Sequence, residues 1–470
     1  MSRERRLRRH VPQRIGMGFV MVACLWSPAP LLAQTDAPPL TLADAVRLAL
    51  EHYPALKERQ ARARAAEAGV GVARTAYLPR VDMVWQENRA TTNNVFGLLL
   101  PQAIVPPISG PVLGTRSYDS VWGSAAGVLM TWEAIDFGVR KASVEVARAQ
   151  TSLARAQTAL TELDVASAAA DAFLTVLAAE ASVRAVRANV DRLQVFATSV
   201  RVLTENQLRP GADQSRAEAE LAIARNQLSQ AVQAADLARV ALADAIGAAG
   251  TAPQPVMGTL TSLPDVDAGP LTVRTHPAAQ ASEAAVETAR ARERALDRAY
   301  YPHVTLQSAF AGRGSGADAP GVGSFGSGAW LHVPNWAIGA QVTFPALDIF
   351  SIAARKKVEA QNELAERARY EQTIQTVTTQ EARARALLKA ATDMARNTPV
   401  ELAAAAAGER QARARYQTGL ATVTEVAEAQ RLLAQAEADD AVARLAVWRA
   451  LLAAAQARGN LAPLLDRAKP

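Results

Sequence analysis

Two hydrophobic rhythms alternate along this chain. Short windows repeat apolar residues every second position. Val81, Met83 and Trp85 alternate with Asp82, Val84 and Gln86, and Val128, Met130 and Trp132 alternate with Leu129 and Thr131. The windows His303–Ser308 and Ile338–Phe344 behave the same way, which predicts two pairs of half-buried strands. Between them the period lengthens. Val139 to Arg209 contains no Pro and no Gly over 71 residues, about 105 Å of helix at about 1.5 Å per residue. Within it Val183, Val186, Val190, Leu193, Ala197 and Val200 form a heptad seam, and beyond Pro210-Gly211 the residues Leu221, Leu228, Ala235 and Leu242 recur every seventh position. Two such runs joined by a tight turn predict an antiparallel helical hairpin.

The pattern is written twice. Tyr53-Pro54-Ala55 matches His276-Pro277-Ala278, and Ala76-Tyr77-Leu78-Pro79 matches Ala299-Tyr300-Tyr301-Pro302, both at a spacing of 223. The second hairpin spans Ile352 to Tyr416, turns at Thr418-Gly419-Leu420, and returns through Val423, Val426, Gln430 and Leu433 and then Leu445, Trp448, Leu452 and Ala455. Pro399 and Gly408 fall inside its long helix, where an interior Pro predicts a bend. The expected organisation is a first repeat over 40–247, a Gly- and Pro-rich linker over 248–270, a second repeat over 271–459 and a tail over 460–470. Heptads alone also suit a two-stranded rod. Ala on more than one helix face favours helices with two neighbours each, as in a ring.

Composition changes the picture in two places. The formal charge of +6 is concentrated in the first 33 residues, where six Arg oppose Glu4, so the remainder carries about +1 and a nucleic-acid partner is not indicated. That Arg-rich start, followed by the apolar run Ile15–Trp26, reads as a signal peptide over 1–33. Two processing routes stay open: cleavage after Ala33, or lipidation at Cys24, the single cysteine. No later stretch holds 18 uninterrupted apolar residues, so entry into a membrane requires strands. Five of the seven Trp lie in or beside the strand windows, namely Trp85, Trp122, Trp132, Trp330 and Trp336. They suit the interfacial girdles of a membrane barrel, with a soluble sandwich as the alternative. Four strands cannot close a barrel in lipid, so the sheet must close with copies of itself, and three copies give twelve strands.

The chain resembles the outer membrane efflux protein family, the TolC-like outer membrane factors. The residues that carry the resemblance are Thr41-Leu42-Ala43-Asp44-Ala45 with His52-Tyr53-Pro54, Tyr77-Leu78-Pro79, Ile135-Asp136-Phe137-Gly138, Arg209-Pro210-Gly211-Ala212-Asp213, Arg216-Ala217-Glu218-Ala219, and Tyr416-Gln417-Thr418-Gly419-Leu420. The resemblance implies a mainly α chain with a β-barrel portion. It implies a homotrimer in which long hairpins build an α-barrel in the periplasm and four strands per chain build a 12-stranded barrel in outer-membrane lipid. It also implies a passive duct in a tripartite export system, for solute efflux or type I secretion, served by a periplasmic adaptor and an inner-membrane pump of the RND or ABC type. The hairpin tips that would meet the adaptor or form the gate are Gln207, Leu208, Arg209, Pro210 and Gly211, and Arg415, Tyr416, Gln417, Thr418, Gly419 and Leu420. Gly211 and Gly419 are expected to adopt the positive φ of the turn. Arg209, Arg415 and Tyr416 either hold the tip closed or are solvated helix-end groups. Asp213 reads first as a helix N-cap.

Enzyme chemistry is not indicated. The five His show no i, i+4 pair, no phosphate loop or nucleophile elbow is present, and neither metal nor cofactor is expected. Asp439-Asp440 reads as a solvated pair. The alternative function is a periplasmic coiled-coil adaptor, which ordinarily carries one hairpin and small β-domains.

Overall fold

A computed structural model describes residues 40–91, 120–264, 272–315, 328–331 and 333–468. The expected signal segment, Cys24, the loop from Asn93 to Pro111 and most of Gly312–Gly328 lie outside the described residues.

The elements run α1 (Leu42–His52), α2 (Pro54–Thr75), β1 (Arg80–Thr91), β2 (Ser120–Ile135), α3 (Val139–Glu205) and α4 (Gly211–Ala245). They continue with α5 (Pro277–Arg298), β3 (His303–Ser315), β4 (Val333–Thr343), α6 (Ile349–Gln417), α7 (Val423–Arg458) and α8 (Ala462–Arg467). The twofold repeat is thus realised element by element. Both α2 and α5 have 22 residues, with Pro at N1.

Packing arranges the helices as four columns side by side. α3 packs against α2 and α4 along one flank and against α5 and α7 along the other, and α6 packs against α5 and α7. Two columns are through-going helices, α3 with 67 residues and α6 with 69. The other two are stacked end to end. The C-terminal cap of α4 abuts the start of α2, where a Cβ on Gly247 would lie 3.0 Å from the carbonyl carbon of His52. The cap of α7 abuts α5, where a Cβ on Gly459 would lie 2.5 Å from Pro277 Cδ. Both glycines have positive φ, 69° and 75°, so each joint needs a residue with neither a Cβ nor a right-handed backbone. The α5/α7 joint is sealed by His276, which is 4% exposed. Its Nδ1 accepts from Ala278 N at 3.1 Å and caps α5, and its Nε2 donates to Gln456 O at 3.1 Å.

Small residues let the columns approach closely. Ala169, Ala170, Phe173 and Leu174 of α3 are fully buried in a core shared with α1, α7 and the inter-repeat segment. That segment is no free connection: Leu40 pairs with Pro255, Leu260 is buried, and Trp448 Nε1 donates to Ser262 O at 3.2 Å. The same burial explains why α3 holds an 18-residue window of mean hydropathy 1.3, with 56% of it inside the protein. Ion pairs tie the columns further. Arg192 grips Glu437 with two bonds, of 2.9 and 2.6 Å, across α3 and α7, and Arg239 meets Glu180 at 2.8 Å across α4 and α3.

α6 runs unbroken through Pro399 and Gly408, so the interior Pro does not end the helix. One expectation changes here. Beside Pro399, Thr398 Oγ1 donates to Asp440 Oδ1 at 3.2 Å, so Asp440 is a half-buried contact between α6 and α7 and not a solvated charge.

The strands form one antiparallel sheet in the order β1-β2-β3-β4. The chain passes from β2 into α3 through a tight junction. Phe137 and Gly138 take positive φ, and Asp136 accepts from Gly138 N at 3.2 Å and Arg140 N at 2.6 Å, starting α3. Burial works to raise the Asp136 carboxyl, but these bonds and the Arg140 guanidinium, 2.9 Å away, hold it below the usual range.

Two outcomes follow from the joints. Gly459→Ala should cost roughly 1–3 kcal/mol, read as a lowered thermal midpoint, because the added Cβ meets Pro277. Burial lowers the His276 pKa, against smaller opposing effects of Gln456 and Asp164. A base with a lowered folded pKa stabilises the fold fully above about pH 6.5 and loses that stabilisation as pH falls towards the folded value. The thermal midpoint should therefore drop between pH 7.5 and 5. His276→Asn keeps a capping acceptor without a titrating ring, and should flatten that slope.

Candidate functional site: helical tips and strand faces

The far ends of the two hairpins come together. Each long helix stops by the same hydrogen-bond pattern. Leu208 N bonds Leu203 O at 2.8 Å and Gln207 N bonds Thr204 O at 2.9 Å; Leu420 N bonds Arg415 O at 2.8 Å and Gly419 N bonds Tyr416 O at 3.0 Å. The left-handed residue is Gly419 (φ 80°) in the second turn, as expected, but Gln207 (φ 59°) in the first. Gly211 instead begins α4 in helical conformation, behind Pro210, whose extended ψ of 147° makes it the N-cap residue. Asp213 is therefore not the cap: it lies in the first turn, its N–H bonded to Pro210 O at 3.0 Å. The return of the second hairpin carries the capping box instead, Thr422 with Glu425.

Arg209 and Tyr416 join the hairpins. Arg209 Nη2 donates to Tyr416 O at 2.9 Å, and the guanidinium carbon lies 4.5 Å from the Tyr416 ring centroid. Tyr416 is 3% exposed and meets Phe196 edge-on at 5.5 Å, within a cluster of Leu193, Val200, Leu221, Val423 and Val426. Burial pushes its hydroxyl pKa up; Asp213 adds to this and Arg209 opposes it. Arg415 behaves differently. It bonds Leu420 O at 3.2 Å and pairs with Glu425 at 3.5 Å, both within its own hairpin. Thr418 Oγ1 returns to Arg415 O at 3.0 Å. Leu208 and Leu420 are mostly exposed, apolar at the outermost turns.

At the opposite end, register sorts the strand residues onto two faces. One carries the rows Val81–Met130–Ser308–Ile338, Met83–Val128–Phe310–Trp336 and Trp85–Ala126–Gly312–Pro334. The other carries Arg80–Thr131–Gln307–Gly339, Asp82–Leu129–Ala309–Ala337 and Gln86–Ala125–Arg313–Val333, with Glu133–Thr305–Gln341 beside them. The first face is an apolar band over these rows, with Glu87 and Arg89 on it only towards the loop end of β1, and the second holds most of the charges and amides, the alternation of a barrel between lipid and water. Trp85, Trp122, Trp132 and Trp336 all fall on the apolar face, and Trp330 lies just before β4, 80% exposed. Trp132 Nε1 donates to Tyr77 O at 3.1 Å, and Trp122 sits under Arg89 at 5.6 Å. On β2 these two Trp are ten residues apart. That is about 34 Å along the strand, or about 25 Å of height at a tilt of about 40°, the height of an apolar membrane band. β1 and β4 each have one neighbour among the described residues. Among those residues no group of three or more His, Cys, Asp or Glu is placed to hold a metal ion.

Sequence reasoning missed the stacked joints, His276 above all. Their signal was present: a Gly at each helix end and an X-Pro start at the matched positions of each repeat.

The geometry defines a class: a helical conduit continued by a membrane sheet. The outer membrane efflux protein family matches residues 45–248 and 272–460. The chain belongs to that family, one of outer-membrane channels and not of enzymes. No curated protein sequence matches it. Among solved structures, the fold is similar to CusC (TM-score 0.74, 17% identity, covering 90% of this chain and 93% of that one). It is similar to the CmeC outer membrane channel of Campylobacter jejuni (0.74, 15%, 91% and 89%) and to the outer membrane protein VceC of Vibrio cholerae (0.71, 18%, 89% and 96%).

Phe310→Arg, at the centre of the apolar face, should destabilise the membrane-inserted protein by about 2–4 kcal/mol. Ala309→Arg, one residue away on the polar face, should cost less. Urea titration in liposomes checks both.

Proposed function

We propose that three copies of this chain form a passive export duct through the outer membrane, opened at the hairpin tips by a periplasmic adaptor and an inner-membrane pump. The observation that carries this reading is the open four-stranded sheet. One face is apolar, and the unpaired edges of β1 and β4 would each expose amides to lipid at several kcal/mol per group. Closure with two further copies gives twelve strands, and the helical columns beneath them continue the same wall. Outer-membrane lipid then covers the girdle of Trp85, Trp122, Trp132, Trp330 and Trp336.

The tips serve as gate and docking point. Arg209 and Tyr416 tie the second hairpin to the first inside each copy, so the tips move apart only when this contact breaks. The exposed Leu208 and Leu420 offer apolar knobs to a partner's helices. Gln207, Pro210, Gly211, Arg415, Gln417, Thr418 and Gly419 shape the turns that present them. The adaptor reading of the chain itself is disfavoured by the two-faced sheet.

The purified protein in mild detergent should sediment as three copies and conduct weakly in a planar bilayer. Arg209→Ala with Tyr416→Ala should raise resting conductance several-fold, and Arg415→Ala should raise it less. A stable monomer would remove the duct, and an unchanged conductance would remove the gate.

A further inference from the structure

One groove lies apart from both the tips and the sheet. It occupies about 450 Å³ near the membrane end of the helices, where α5 is recessed between α3 and α6. Val146, Ala295, Leu296 and Val358 supply apolar surface, and Val358 is 59% exposed, a large apolar side chain with nothing over it. Arg292 and Arg355 stand at the rim, and neither makes an ion pair or hydrogen bond with any described residue. The one carboxylate lining the groove, Glu359, accepts from Asn362 Nδ2 at 3.3 Å. The groove therefore presents net positive charge beside apolar surface.

Helix phase says which way it opens. Ser143 and Val146 of α3 share a stripe with Gln150, Gln157, Thr161, Asp164, Asp171 and Thr175, spaced by threes, fours and sevens. That stripe is polar and open. The opposite side of α3, with Leu163, Ala166, Ala170, Phe173 and Leu177, is buried in the core it shares with α1 and the inter-repeat segment. On the duct reading α1 and the inter-repeat segment pack on the outside of the wall, which turns the open polar stripe, and the groove with it, towards the bore. All three helices that form the groove belong to one chain, and α5 packs between α3 and α6, so the groove is complete within a single copy.

We propose that this groove is a cargo-contact site for amphipathic organic anions, one per chain, with the apolar body over Val146, Leu296 and Val358 and the acidic group between Arg292 and Arg355. An exposed apolar surface beside two unpaired guanidinium groups attracts a molecule that carries both features, because binding removes that surface from water. A neutral amphiphile gains only the first, and a small anion only the second. The site rests on the duct reading, since it needs the stripe to line a bore.

The test uses the full protein in nanodiscs of uncharged phosphatidylcholine, titrated with the fluorescent anion 1-anilinonaphthalene-8-sulfonate and, in parallel, with its uncharged relative N-phenyl-1-naphthylamine. Saturable binding of the anion should weaken about tenfold or more in Arg292→Gln with Arg355→Gln, since each charge-assisted bond lost is worth about a factor of ten. Binding of the neutral dye should be the same in both proteins. Val358→Asn should weaken both dyes. Repeating the titration with phosphatidylglycerol separates cargo from lipid: a lipid-occupied groove would show competition in the wild type that the arginine variant lacks. Anion binding that ignores the two arginines, or such competition, would overturn the assignment. Bilayer conductance of the same wild-type preparation separates this failure from that of the duct: a conducting protein with no arginine-dependent binding sinks only the site, whereas a non-conducting one sinks the duct.

Discussion

The dominant constraint on this structure is that a backbone amide in hydrocarbon must have a partner. A sheet of four strands with one apolar face satisfies its amides only in its middle, and β1 and β4 leave theirs to something else. Everything beneath follows from that demand. Each strand continues into a helix of its own column, α2, α3, α5 and α6, so the spacing set by sheet hydrogen bonds is handed to the helical wall. The junction at Asp136, Phe137, Gly138 and Arg140 makes that handover rigid, with a buried ion pair where strand becomes helix.

A wall four helices wide must extend well beyond the reach of a single packed core. Two helices do so by being long. The other two do so by stacking, and the stacks depend on Gly247 and Gly459, where the chain ends approach too closely for any side chain. The repeats solve the joint differently. The first places Tyr53 at the N-cap of α2 with no side-chain bond, whereas the second buries His276 there with both ring nitrogens used. The second joint is therefore the better sealed and the more sensitive to protons. The same inequality recurs at the tips, where Gln207 holds a left-handed conformation that Gly419 adopts without strain. The two repeats thus close matched joints and turns by different local interactions.

Much of the architecture was legible in the residue pattern. The period-two windows became β1 to β4, and the long heptad runs became α3, free of Pro and Gly, and α6, which carries both, because in both the side-chain period is set by backbone geometry and shows through in any one sequence. The tip residues were legible as turns. Which of them would touch was not: Arg209 and Arg415 read alike in the chain, yet the first crosses to Tyr416 of the other hairpin and the second folds back on its own.

The sequence by itself determined the elements, their order, the duplication and the two-sidedness of the strands, since each rests on local periodicity. Only the tertiary structure decided where Asp440 goes, that the linker is packed, that Gln207 and not Gly211 turns the first hairpin, and that α5 sits above α7 with His276 between them. All but the Gln207 turn depend on contacts between residues from tens to more than two hundred positions apart, a distance no local period encodes; the turn is local, but its left-handed residue breaks the preference for Gly that the sequence pattern relies on.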